Sequence, residues 1–294
     1  MSSLANATGK FHLDLRRTGP LIALGVGLLV LYAPIYMDFA KGPWREDENA
    51  HALIIMAIAI GAGGIRLFTE EFPLTRTTRE QLAGFSLLAV GLALIVLGSA
   101  GETVLFLSAS QFFVSSGAII ALLGWRGVKR LWFPLALTLY LIIWPGWALD
   151  ALTAPLKMFV SKVVAEGLYA AGLPVAYAGA VISAGPYQLL VAAACSGLNS
   201  LIALTAVGAV YLYAAKHNDW RINAVVLASL IPIAIVANIL RVMTLTLITY
   251  YLGYDAGQGF MHEGAGLLMF AAALGLVFLI DGLALIAFVR RRSA

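Results

Sequence analysis

The chain has 294 residues, 61% of them hydrophobic and 12% charged, against roughly 45–50% and 25% in soluble domains. It reads as one integral membrane domain over 1–294, because spans of about 20 residues and their connections use nearly all of it. A single cysteine excludes a disulfide framework and any multi-cysteine zinc or iron–sulfur centre, no cofactor or metal is expected, and the net charge of +4 fits basic cytoplasmic loops rather than a nucleic-acid partner.

Residues 1–19 are a polar tail with Lys10, Arg16 and Arg17, leading into a first span over 20–37. No small-residue cleavage site follows it, so it reads as a retained span. The second span is 52–68, followed by a loop with Glu70, Glu71, Arg76 and Arg79. The third and fourth are 82–98 and 104–125, the latter ended by the basic stretch 126–130. The fifth is 131–148, with Pro134 in its first turn and Pro145 near its end.

Residues 149–194 hold no obvious span. Leu156, Phe159, Val160, Val163, Val164 and Leu168 share one helical face there, the pattern of a helix lying in the membrane interface. Gly172 and Pro174 close that helix. Residues 176–182 and 187–191, around Gly185 and Pro186, predict a small hairpin against the membrane surface. The sixth span is 197–215, the seventh 222–250, loosened at Pro232, and the eighth 263–289. The expected fold is thus an all-α polytopic membrane protein with eight transmembrane helices, plus an outer amphipathic helix and a hairpin between spans five and six. There is no internal repeat.

Fourteen of the nineteen lysines and arginines fall in the N-terminal tail, in or beside the second, fourth and sixth loops, and at the C-terminus. The opposite loops hold Lys41, Arg45, Lys157 and Lys162, and Arg241 lies within a span. Basic residues favour the cytoplasmic side, so both termini are expected there. Cys195 then sits at the outer end of span six. Arg241 lies 19 residues along span seven, about 28 Å at 1.5 Å per residue, near the outer edge of a hydrocarbon core roughly 30 Å thick. His262 falls at the outer start of span eight, level with both.

Each of these residues has a structural alternative. A cysteine in a membrane helix is commonly a small packing residue, but at a helix N-terminus the macrodipole lowers a thiol's pKa and favours the nucleophilic thiolate. Arg241 costs at least ~2.5–3.5 kcal/mol within a span, which makes function the default, with snorkelling to the headgroups as the alternative. Asn238, three residues earlier, either orients the guanidinium or satisfies a helix–helix hydrogen bond. His12 and His217 fall on the cytoplasmic side and read as solvated. His51, before span two, competes with His262 as a catalytic base, and spacing does not choose between them. Asp281 is an intramembrane acid far from this level and reads as helix packing.

Cys195, Ser196, Gly197 and Leu198 with Ser200, then Asn238-x-x-Arg241, then His262 with Gly264 and Gly266, resemble the exosortase/archaeosortase family of membrane transpeptidases. Trp132-x-Pro134 and Gly172-x-Pro174 also fit, and the resemblance covers roughly residues 120–290. It implies His262 rather than His51 as the histidine. It further implies a Cys195 nucleophile, His262 as acid/base and Arg241 stabilising the oxyanion or positioning the substrate, with Asn238, Ser196 and Gly197 in support. The implied activity is that of a cysteine protease or transpeptidase, a hydrolase acting through a thioacyl-enzyme. Its substrates would be exported proteins whose C-terminal sorting signal combines a short motif (Pro-Glu-Pro in the best-known class), an apolar helix and a basic tail. The setting would be the inner membrane of a prokaryote, with the site facing outward and the lipid bilayer as the other partner. A multi-pass carrier using Arg241 to hold an anion, and a non-enzymatic assembly factor for envelope or exopolysaccharide export, are the rival functions. The carrier predicts internal repeats and polar residues at mid-membrane, which the sequence lacks.

Overall fold

A computed structural model of the chain describes residues 15–46, 49, 51–69, 77–190, 197–217, 219–258 and 260–290, a few of them, His262 included, by backbone alone. Long apolar runs in lipid must satisfy their own backbone hydrogen bonds, and helix is the local solution. The helices are α1 (Leu15–Lys41), α2 (Ala52–Thr69), α3 (Thr78–Ala100), α4 (Val104–Arg130), α5 (Trp132–Leu139), α6 (Gly146–Ala170), α7 (Gly197–Ala215), α8 (Trp220–Leu252), α9 (Tyr254–Gln258) and α10 (Phe260–Arg290). Strands β1 (Val175–Ala178), β2 (Val181–Ala184) and β3 (Tyr187–Leu190) lie between α6 and α7. Among the described residues, five helices (α1, α3, α4, α8 and α10) are long and apolar enough to cross a membrane, and α2 and α7 include shorter apolar stretches. The elements fall into two compact units, Met1–Pro43 with Met56–Ile143, and Trp44–Ile55 with Trp144–Ala294.

In the first unit, α3 and α4 meet along a glycine seam. A Cβ at Gly84 would stand 2.5 Å from the Ala121 backbone nitrogen, one at Gly91 2.5 Å from Val114 Cγ2, and one at Gly98 2.8 Å from Leu107 Cγ. From the other side, a Cβ at Gly117 would stand 2.6 Å from the Leu88 nitrogen. Lipid provides no hydrophobic drive between helices, so close backbone approach through small residues is what joins them. Gly84→Leu should therefore destabilise the protein by at least ~1–3 kcal/mol through overpacking, seen as a lower unfolding midpoint in detergent. Gly25→Leu, at a position with open space around it, should not; equal midpoints for both would disprove the seam.

Glu80 ties the end of this pair where α3 begins. Its carboxylate closes a capping box with Thr77 and accepts the Trp125 N–H at 3.1 Å. That N–H is freed where Gly124, at φ 67°, kinks α4. Only glycine suits this conformation without strain.

The expected fifth span over 131–148 is not one helix. α5 ends at Leu139, residues 140–145 are non-helical, and α6 starts at Gly146. Pro145 is the N-cap of α6; it has no N–H to continue the preceding helix and pushes its predecessor away from helical geometry. Polar side chains of α4 satisfy the freed backbone: Ser108 Oγ accepts the Ile143 N–H at 2.9 Å and Gln111 Nε2 donates to the Thr138 carbonyl at 3.3 Å. Gln111 also accepts the Tyr36 hydroxyl, and Ser110 pairs with the Tyr32 hydroxyl at 2.9 Å. These bonds explain three buried polar residues in an apolar helix.

In the second unit, α7, α8 and α10 pack on one another around Leu204, Val226, Leu230, Ala273 and Val277. With 33 residues, α8 is about 50 Å long at 1.5 Å per residue, far more than a hydrocarbon core of about 30 Å requires. Its turns from Val242 to Tyr250 are instead covered by α6 and the strands: Val160, Val164, Leu168, Val175, Ile182 and Leu189 close over them. The expected apolar face of α6 is therefore covered in part by protein. Val160 and Val164 on its apolar face are fully buried in protein, while Phe159 is half exposed.

The expected hairpin is a three-stranded antiparallel meander, ordered β1-β2-β3. Gly179 (φ 61°) and Gly185 (φ 56°) take the first central positions of its two-residue turns, as a type II′ turn requires. The sequence expectation ran 176–182 as one strand through Gly179 and so missed a turn.

Candidate active site

Arg241 and Asn238 are one helical turn apart on the same face of α8, with only 7% and 4% of their surfaces exposed. Helix α10 crosses α8 at this point and presents Gly266. A Cβ there would lie 3.1 Å from Arg241 Nη2 and 3.2 Å from Cζ, so the guanidinium rests against the bare backbone of α10. Arg241 is therefore held inside the packed helices rather than snorkelling. Below it lies a cavity of about 20 Å³ lined by Leu204, Ala234, Asn238, Arg241, Gly266 and Phe270, among others, with room for about one water molecule. Asn238 and Arg241 are the polar side chains that line it, and Ala234 and Ala273 are among the apolar ones.

Position 262 lies in the first turn of α10, four residues before Gly266 and thus on the same helical face. The His262 side chain is outside the described residues. Cys195 and Ser196 are outside them as well. Gly197 opens α7, and Leu204 of the same helix reaches the cavity beside Arg241. The structure thus brings together Arg241, Asn238 and Gly266, on helices that pack against α7, the helix that follows Cys195. His51 stands at the head of α2, where its carbonyl accepts the Ile55 N–H. Glu70, Glu71 and Arg76 lie outside the described residues.

A second buried polar centre sits elsewhere in this unit. Asp281 of α10 accepts the Tyr211 hydroxyl of α7, and His217 Nε2 lies 2.9 Å from its Oδ1. The side chains of His217 and Asp281 are 9% and 5% exposed, so His217 is not the solvated residue expected from its loop. Asp281 is 15 residues beyond Gly266 on α10, about 22 Å at 1.5 Å per residue, and belongs to a clamp between α7, its following loop and α10. The signal was present in the sequence, since an intramembrane acid needs a partner, but only the helix packing identifies that partner.

These features describe a multi-pass helical membrane protein that buries an arginine–asparagine pair between two of its long helices. The family model for transmembrane exosortases matches residues 44–279, and the chain belongs to that family. The match extends well upstream of the short motifs that carry the resemblance, and it runs through Cys195, Arg241 and His262. No curated protein and no solved structure matches the chain.

Proposed function

We propose that this exosortase is a membrane cysteine transpeptidase or protease that cleaves C-terminal sorting signals of exported proteins at the outer face of a prokaryotic inner membrane. The observation that carries this reading is the family match, whose residues 44–279 include all three chemically capable positions. The burial of Arg241 against Gly266 supports it, as does the start of α7 at Gly197, two residues after Cys195. In the proposed topology the chain crosses the membrane eight times, with both termini cytoplasmic. The fifth crossing consists of short α5 and the non-helical residues 140–145, where Ser108 of α4 accepts the Ile143 N–H, the kind of support that irregular backbone at membrane depth needs.

In this mechanism the Cys195 thiolate attacks the carbonyl carbon at the cleavage site and forms a C–S bond. Arg241 stabilises the resulting oxyanion. As the tetrahedral intermediate collapses, the C–N bond breaks and His262 gives its proton to the leaving amine. An acceptor amine or water then attacks the thioester, passes its proton to His262, and releases the thiolate as the C–S bond breaks. No cofactor takes part.

Because Cys195 is the sole cysteine, a membrane-impermeant maleimide applied from outside should label it. An exported reporter ending in Pro-Glu-Pro, an apolar helix, a basic tail and a C-terminal tag should lose the tag with the wild type and keep it with Cys195→Ala. Tag removal by Cys195→Ala at the wild-type rate would defeat the mechanism. Labelling from the cytoplasmic side alone would defeat the topology.

A further inference from the structure

Among the described residues, the meander ends in an unpaired edge. β3 pairs with β2 as Ala184↔Tyr187, Ser183↔Gln188, Ile182↔Leu189 and Val181↔Leu190. Hydrogen-bonded and non-bonded pairs alternate in an antiparallel ladder. The two-residue turn at Gly185 makes Ala184↔Tyr187 a bonded pair, so Ile182↔Leu189 is bonded as well. The β1–β2 register agrees, since it leaves Val181 and Ser183 bonded to β1. The N–H and C=O groups of Gln188 and Leu190 therefore point away from the sheet, and among the described residues no strand follows β3 in the sheet order.

The edge is short, which itself limits unwanted pairing, but it carries neither a charged residue nor an internal proline: β3 reads Tyr187, Gln188, Leu189, Leu190. Leu189 is buried beneath the sheet, while Leu190 is 51% exposed. The place of the edge is also specific. The sheet's inner face packs on α8 from Val242 onward, so it stands beside the turn that carries Arg241. In sequence, Leu190 precedes Cys195 by five residues. The opposite edge strand, β1, packs against α6.

We propose that the outer edge of β3 binds the extended segment of the exported substrate that immediately precedes its apolar helix, as a fourth strand. This deepens the functional reading above and rests on it. Backbone bonds to Gln188 and Leu190 hold the segment through its non-proline residues, the two prolines of Pro-Glu-Pro both turning away from β3 when the glutamate between them pairs with it, while the exposed Leu190 contacts side chains of the added strand. The occupant is an extended peptide because only a strand can use outward N–H and C=O groups at this spacing.

The test uses the full-length enzyme in membranes and the Pro-Glu-Pro reporter. Gln188→Pro and Leu190→Pro each remove an N–H that the sheet does not use, whereas Leu189→Pro removes a ladder bond and serves as the structural control. Each of the first two should lower kcat/KM by about tenfold, the scale of one net hydrogen bond, chiefly by raising KM, with the unfolding midpoint unchanged. A photo-crosslinking side chain at position 190 in a Cys195→Ala background should join to the reporter just upstream of its apolar helix. Wild-type kinetics in both edge variants, or crosslinks only to lipid or to a second copy of the enzyme, would overturn the inference while leaving the Cys195 requirement standing. A reporter left whole by the wild type defeats the functional reading and this inference with it.

Discussion

Arg241→Ala should reduce reporter processing by about 10²–10³-fold, the cost of removing one oxyanion-stabilising donor from a water-poor site. The loss should appear in kcat, since the stabilised charge develops only in the transition state. Arg241→Lys should not restore activity, because a flexible point charge does not reproduce a planar five-donor fork. Stability provides the contrast. Arg241 is 7% exposed, and an apolar residue of similar length avoids the ~2.5–3.5 kcal/mol that an arginine within a span costs. Arg241→Met should thus be inactive yet unfold in detergent at or above the wild-type midpoint. A large fall in midpoint together with retained processing would show that the arginine serves the fold instead.

The second large effect is expected at a residue with no side chain. Gly266→Val should lower processing by about 10²-fold, since a displacement on the order of 1 Å in a catalytic group has that cost. A Cβ at 266 would lie 3.1 Å from Arg241 Nη2, and the γ-carbons of valine would press further into the guanidinium. Gly266→Ala should be milder, because the end of a flexible side chain can yield a few tenths of an ångström. Gly264 is the natural control. It belongs to the same motif, but a Cβ there meets open space, so Gly264→Val should process the reporter normally. Equal activity across the 266 series would mean that the guanidinium's seat on α10 is irrelevant to the chemistry.

Much of this was legible in the sequence because lipid leaves the backbone few choices. An apolar run either forms a helix or pays for unsatisfied amides, so α7 starts and ends as expected, at Gly197 and Ala215. Where helices failed, the reason was local and polar: Pro145 breaks the fifth run, and Ser108 and Gln111, 34 residues or more before it in sequence, make the break tolerable. The amphipathic face of α6 is legible at helical spacing, but what covers it is not. Periodicity reports that a face is apolar, and it does not report whether lipid or protein covers it. The sequence reading passed over Gly84, Gly91 and Gly98, because their meaning depends on α4 lying against them.

At Arg241 the division is sharpest. Composition and charge bias alone mark the chain as a multi-pass membrane protein, and the order of Cys195, Asn238, Arg241 and His262 with their glycines points to the exosortase family, because each residue type is costly or rare where it stands. Only the tertiary structure shows that the apolar turns after Arg241 are roofed by α6 and the meander, and that the guanidinium lies on Gly266 rather than among headgroups. Burial and contact between distant segments arise from packing, and no local pattern of residue types encodes which surfaces will meet.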